Sequence, residues 1–286
     1  MAFNMGFYGF GEAAGNFAIE LHKKWPEIKL VAYDKFVTER VADYAAKANV
    51  CMVLSPQELA GRAEVIGALV TGSVCLKAAE DIVGFMKETQ LYIDFNSVSP
   101  KEKMEIGKIF EKAKIPMVDA AIMESVPESK LDASILISGE QAPRASDGLN
   151  ALGFKTSVVG GKVGDAAAIK MVRSIFAKGM EGLFVEMLLA GKKYGVQEYV
   201  IDSIAKSIED KKIIDIMNTL VVSQANHSAR KKTEMDYVVS VLTDAGIEPI
   251  MSSATRDMFE WITGLNLKDK IDPATADYQT VIDAII

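Results

Sequence analysis

The sequence predicts an α/β domain built on a doubly wound, largely parallel sheet, followed by an all-α domain. Three observations carry this reading. Short β-rich runs alternate with helical patterns through the first half of the chain. A glycine-rich turn joins the first strand-like run to the first helical one. After Gly164 the strand signals nearly vanish. The division falls near "VVGGKVG", where three glycines cluster, and gives domains 1–163 and 164–286.

In order, the expected strands are "NMGFYGF", "IKLVAYD", "VIGALVT", "LYIDFNS", "IPMVDAA", "ASILISG" and "KTSVVGG". Helical patterns lie between several of them, in "GEAAGNFAIELHKK", "TERVADYAAKA" and "SPKEKMEIGKIFEKA". The second half reads as helices over Asp165–Ala190, Gln197–Lys206, Ile208–Gln224 and Lys231–Asp244, with a last stretch past Pro249. The helix from Asp165 is apolar on most sides, as buried helices are. Lys170, Arg173, Ser174 and Lys178 nevertheless recur at three- and four-residue spacing, which places them in one stripe.

Composition narrows the function. The chain of 286 residues is 49% hydrophobic and 25% charged, as globular enzymes are. Its net charge of -7, with no dense basic run, argues against nucleic-acid or membrane-surface partners. No apolar stretch reaches the roughly 20 residues of a membrane span, and "MAFNMGFYGFG" lacks the marks of a signal peptide. Cys51 and Cys75 form no CxxC pair, and with 14 methionines they fit a reducing, cytoplasmic setting. The histidines are His22 and His227 alone, so no metal site is expected.

The stretch "MGFYGFGEAAGNFAIEL" has a physical reading. Gly9, Gly11 and Ala14 stand in GxGxxA spacing between a strand and an amphipathic helix. Gly9 permits a tight turn, and Gly11 lets backbone approach a pyrophosphate. Ala14 lets the helix pack close to the strand. Phe10, Glu12 and Ala13 complete the cofactor-binding turn. Asp34, about 20 residues past Ala14, ends the second strand where an acid meets adenosine ribose hydroxyls. Its charge disfavours a 2'-phosphate, so the expected cofactor is NAD. Lys35 leaves NADP open. The competing reading is a structural turn and a surface aspartate. The fold expected is thus Rossmann-type.

At this point the chain resembles the β-hydroxyacid dehydrogenase superfamily, which includes 6-phosphogluconate and 3-hydroxyisobutyrate dehydrogenases. The resemblance spans the chain and is strongest at the fingerprint, at "DFNSVSP" and at "GDAAAIKMVRS". It implies that Lys170 is the acid/base catalyst and that Ser174, where the family carries asparagine, touches substrate. It also implies that Asn96 and Ser97 line the junction of nicotinamide and substrate. "HSARKKTEMDYV" and "GIEP" resemble a C-terminal variant of the group, which makes His227 and Arg230 substrate-side candidates. Departures accompany the match. Met123, Glu124 and Ser125 stand where the family has Ser-Gly-Gly, and Arg173 and Ala177 replace a histidine and an acid of the phosphogluconate enzyme. Decarboxylating phosphogluconate chemistry is therefore not expected.

Each candidate has a plainer reading. Lys170 can be a snorkelling structural lysine. Arg173 can clamp a substrate carboxylate, or bridge to Glu181 or to the other domain. Asn96 ends a strand, where ligands bind in open sheets, but Ser97 or Ser99 can simply cap the next helix. Thr71 and Gly72 hold the matching strand-end position in "VTGS" and are cofactor neighbours by that logic. Ser125 is a substrate-side candidate, and His227 can be a surface histidine.

The reading is an NAD(P)-dependent oxidoreductase. It moves hydride between nicotinamide and a small hydroxy acid or its carbonyl form, with Lys170 carrying the proton. The alternatives are an imine reductase on the same scaffold and a non-catalytic dinucleotide-binding regulator. So apolar a helical domain also implies a homodimer.

Overall fold

The computed structural model describes residues 4–272 and 275–286. The first three residues of the stretch read for a signal peptide, and positions 273–274 past Pro249, lie outside the described residues. Contacts divide the chain into two units, Met1–Ser174 and Ile175–Ile286.

The first unit alternates strand and helix. Its elements are β1 (Met5–Tyr8), α1 (Glu12–Lys24), β2 (Leu30–Tyr33), α2 (Glu39–Lys47), β3 (Cys51–Val53), α3 (Pro56–Arg62), β4 (Val65–Ala68) and α4 (Cys75–Val83). There follow β5 (Leu91–Asp94), α5 (Pro100–Lys112), β6 (Met117–Ile122), α6 (Val126–Ser129), β7 (Ser134–Ser138), α7 (Ala142–Leu152) and β8 (Lys155–Gly160). The helix α8 (Asp165–Tyr194) starts here and continues into the second unit.

The eight strands form one sheet in the order β3-β2-β1-β4-β5-β6-β7-β8. Pairing is parallel except between β6 and β7. The chain winds outward from β1 to β3, then returns to place β4 on the other side of β1. That reversal leaves a crevice at the carboxyl ends of β1 and β4, the place where such sheets bind ligands.

The sheet is apolar on both faces because helices cover both. One core holds Phe7, Phe17, Ile93 and Phe95. The other holds Ile66, Tyr92, Ile106 and Phe110, with the Tyr92 and Phe110 rings stacked at 4.2 Å. All seven expected strands are present. The strand β3, only Cys51–Val53 and partly exposed, is an eighth that three residues were too few to reveal. Of the helices longer than a single turn, α3, α4 and α7 are not among those expected. Two of them open with signals visible in the sequence: the Ser55 cap with Pro56 starts α3, and Pro143 lies in the first turn of α7.

The second unit adds α9 (Gln197–Ile208), α10 (Ile213–Asp244), α11 (Ile250–Gly264) and α12 (Tyr278–Asp283). Several boundaries differ from expectation. Ile208 ends α9 instead of opening the next helix. The two helices expected over Ile208–Gln224 and Lys231–Asp244 are one, because "SQANHSARKKTEMD" contains neither glycine nor proline. Its polarity is carried by i,i+4 pairs, Arg230 with Glu234 and Lys232 with Asp236. The helix α8 runs past Ala190 to Tyr194 and stops before Gly195, whose φ is +70°. No helix among the described residues is long and apolar enough to cross a membrane.

Candidate active site

The glycine turn follows β1 directly. Gly9 has φ +86°, and a Cβ there would sit 2.4 Å from the Leu69 carbonyl oxygen. Only glycine fits. Gly11 is the N-cap of α1 and brings no side chain to the amides of the first turn. A Cβ on Gly11 would meet no atom within 4 Å. The space in front of this helix end is thus open, and its amides have no side-chain cap, as a pyrophosphate requires. Ala14 is fully buried, and close packing extends to Gly15, where a Cβ would strike the Tyr44 ring at 2.4 Å. The Phe10 ring is core, so its contribution at the turn is its backbone. Glu12 is exposed and Ala13 half-buried.

Asp34 stands just past β2. Its Oδ2 accepts from the Phe10 amide at 2.7 Å and its Oδ1 from the Phe36 amide at 2.9 Å. The acid therefore ties the glycine turn to the end of the second strand. A carboxylate offers about four lone-pair directions, so acceptor capacity remains for ribose hydroxyls.

The ends of β4 and β5 are joined through Asn96. Its Oδ1 accepts from the Val70 amide at 2.7 Å, and its own amide donates to Asp94 Oδ1 at 2.8 Å. The residue is 4% exposed, and its Nδ2 has no partner among the described residues. A buried donor left unmatched is costly unless a ligand completes it. Thr71 and Gly72 open a short turn on the same side, with Thr71 exposed. Ser99 is the cap of α5, in a full capping box with Glu102. Ser97 is thereby free for another partner.

That partner is Lys170. Its Nζ donates to Ser97 Oγ at 2.6 Å. Lys170 is half-buried, and its pKa is pushed below the ordinary lysine value. Burial is the main cause, followed by the Lys103 and Arg173 charges. Arg173 is exposed and donates from Nη1 to the Met123 carbonyl at 2.9 Å; Glu181 pairs with Lys178 instead. The Ser174 hydroxyl donates back to the Lys170 carbonyl at 2.8 Å, within its own helix. Ser125 is exposed at the start of α6 and its side chain does not cap that helix. The structure thus gathers Ser97 and Lys170 beside Asn96, with Ser174 one turn along. His227 and Arg230 are exposed on α10 in the second unit, and Arg230 is paired with Glu234.

Behind this cluster lies a charged set not read from the sequence. Lys103 is 1% exposed, and Asp94 and Asp119 are fully buried. The Lys103 ammonium lies 3.1 Å from Asp94 Oδ1 and 3.0 Å from Asp119 Oδ1, and it donates to the Asp94 carbonyl at 2.6 Å. Asp119 Oδ2 accepts from the Gly164 amide at 3.2 Å and the Ala167 amide at 2.9 Å. Ser138 Oγ donates to the same oxygen and accepts from the Ala166 amide. Asp119 is therefore the anion at the N-terminus of α8. The available signal was an acid inside each of two apolar strand runs, "YIDF" and "MVDAA".

Comparison with known proteins identifies the family of the sheet-bearing part of the chain. Residues 4–161, more than half of the chain, match a family described as the NAD binding domain of 6-phosphogluconate dehydrogenase. The chain belongs to this family. It is an NAD-binding protein, with neighbours among dehydrogenases and reductases. Residues 192–262 match a family described as a domain of unknown function, DUF1932. An uncharacterised 28.5 kDa protein of Methanothermus fervidus is 27% identical over 258 residues, covering 90% of this chain and 98% of that protein. A solved conserved protein of unknown function, described as structurally similar to 3-hydroxyacid dehydrogenases, is 28% identical with a TM-score of 0.62. It covers 91% of this chain and 97% of its own. An imine reductase from Myxococcus stipitatus, solved with NADP+, shares the fold at a TM-score of 0.78 and 15% identity. That match covers 98% of each chain.

Proposed function

We propose that the protein is an NAD(P)-dependent oxidoreductase acting on a small hydroxy acid or its carbonyl form, with Lys170 as proton carrier. The observation that carries this is the half-buried lysine, its pKa depressed, held 2.6 Å from Ser97 beside the unmatched amide of Asn96. The nicotinamide cofactor supplies the hydride acceptor or donor. Gly9 and Gly11 shape the turn that receives its pyrophosphate, and Asp34 accepts from the adenosine ribose, favouring NAD over NADP. Asn96 Nδ2 donates at the junction of cofactor and substrate.

The downward shift of its pKa eases loss of the Lys170 proton, and in the neutral form its Nζ can take the substrate hydroxyl proton during oxidation. In reduction the ammonium returns that proton to the oxygen of the carbonyl. Ser97 Oγ holds the amine in place for either step. Arg173 keeps further N–H donors beyond the one given to Met123, enough to meet a carboxylate. Ser174, Ser125, Thr71 and Gly72 lie on the cofactor or substrate side in this reading. His227 and Arg230 remain substrate-side candidates through the family resemblance alone.

The decisive assay is NAD(P)H oxidation against a panel of keto acids, aldehydes and cyclic imines. Turnover on a keto acid or aldehyde is expected. Turnover confined to cyclic imines would move the assignment to imine reduction, and silence across the panel would favour a dinucleotide-binding regulator. On the substrate found, Lys170→Met should lower turnover by about two to four orders of magnitude while cofactor affinity survives. A folded variant with near wild-type turnover would return Lys170 to a structural role.

Two further assignments accompany this one. The free Cys51 and Cys75 fit a reducing cytoplasmic setting. The exposed apolar side chains of the second unit fit a homodimer.

A further inference from the structure

A lysine 1% exposed is rare and calls for a reason. A local pair would suffice for burial alone, but this one joins three elements. Lys103 stands on α5, Asp94 ends β5 and Asp119 belongs to β6. Asp94 Oδ1 also holds the Asn96 amide, which sets the exit of the chain toward Ser97. Asp119 Oδ2 holds the Gly164 and Ala167 amides, which sets the first turn of α8, one turn ahead of Lys170. Two buried carboxylates repel each other unless a cation stands between them. Lys103 is that cation.

We propose that Lys103 is the positioning residue of the Lys170 centre. By holding Asp94 and Asp119 together it sets the spacing between Ser97 and Lys170. The inference rests on the acid/base reading above and deepens it. It also separates two jobs: Lys170 meets the reacting atoms, whereas Lys103 touches neither substrate nor cofactor and acts through its carboxylates. The charged groups acting on Lys170 are Lys103 from α5 and Arg173 from its own helix, with Asp94 and Asp119 paired behind Lys103. Losing Lys103 removes one cation that disfavours the Lys170 charge. It also loosens the spacing and admits water, which weakens the desolvation that acts on Lys170 most. Both changes move its titration the same way, upward.

The test needs no substrate. The intact protein is labelled with trace acetic anhydride across a pH series, and acetylation of Lys170 is read by mass spectrometry, with exposed Lys206 as the internal reference. Wild-type Lys170 should show a midpoint below the ordinary value of about 10.4. In Lys103→Met that midpoint should rise by about one unit or more, with Lys206 unmoved. Lys103→Met strands two buried carboxylates and can fail to fold. Lys103→Met combined with Asp119→Asn keeps an acceptor for the Ala167 amide and strands only one, and the same rise is expected. A depressed wild-type midpoint that stays put in a folded variant overturns the positioning role and leaves the acid/base reading standing. An ordinary wild-type midpoint overturns both.

Discussion

Both oxygens of the Asp34 carboxylate accept backbone amides, one from the glycine turn and one from the segment after β2. The residue therefore shapes the turn as well as presenting charge, and removing it outright would confuse the two effects. Asp34→Asn is the smallest change that deletes the charge, keeping one acceptor oxygen for the turn at the loss of the second amide contact. Hydrogen bonds to a charged group contribute about 1.5–3 kcal/mol, so NAD should bind roughly 10- to 100-fold more weakly. NADP should lose less, because the repulsion of its 2'-phosphate disappears together with the attraction for the ribose. Calorimetry on both cofactors checks this, and unchanged affinities for the pair would remove Asp34 from the binding site. Of the single residues, those in the fingerprint were the most legible. Their job is local, and a turn between one strand and one helix is written in consecutive letters. Lys103, Asp94 and Asp119 were not legible, because their partnership is made by the sheet. Nothing in the local pattern of "SPKEKMEI" distinguishes the buried Lys103 from its exposed neighbour Lys101.

Among elements, the start of α5 decides what Ser97 is free to do. Sequence offered Ser97 or Ser99 as its cap. The capping box goes to Ser99 with Glu102, and Pro100 occupies the first helical position, so Ser97 falls two residues ahead of the cap. Ser99→Ala should cost about 1 kcal/mol of stability by losing the cap. Ser97→Ala should cost the fold less, while removing the oxygen that holds Lys170 Nζ. Urea unfolding of the two variants separates them, and a larger loss for Ser97→Ala would reassign the cap. The same scale shows why α10 was misread. A polar stretch interrupts the apolar pattern there, yet without glycine or proline such a stretch with i,i+4 ion pairs continues as helix. Likewise β3 has too few residues for alternation to register.

For the whole molecule, the two units differ in how they dispose of apolar surface. The first surrounds its sheet with two continuous cores. The second has a small buried cluster, Ala225, Ile262, Leu267 and Val281, while many of its large apolar side chains stay exposed. On α8 alone, Ile175 is 75% exposed, Val185 60% and Leu189 51%. This resolves the contrast within that helix. Its first turns carry Lys170, Arg173 and Ser174 and belong to the unit with a filled core, whereas its later turns are largely apolar without enough neighbours in the same chain. Large apolar side chains exposed in this number on one unit call for a partner, and a second copy is the one every molecule of this protein has at hand. Light scattering at micromolar concentration should therefore give twice the 31.0 kDa chain mass. Val185→Glu places a charge one turn from Leu189, where both side chains would be desolvated in a dimer. That variant should shift toward monomer and keep its helical circular dichroism, since the position is open within the single chain. A wild-type monomer would leave this face without its partner, and a dimer indifferent to Val185→Glu would place the contact on another helix.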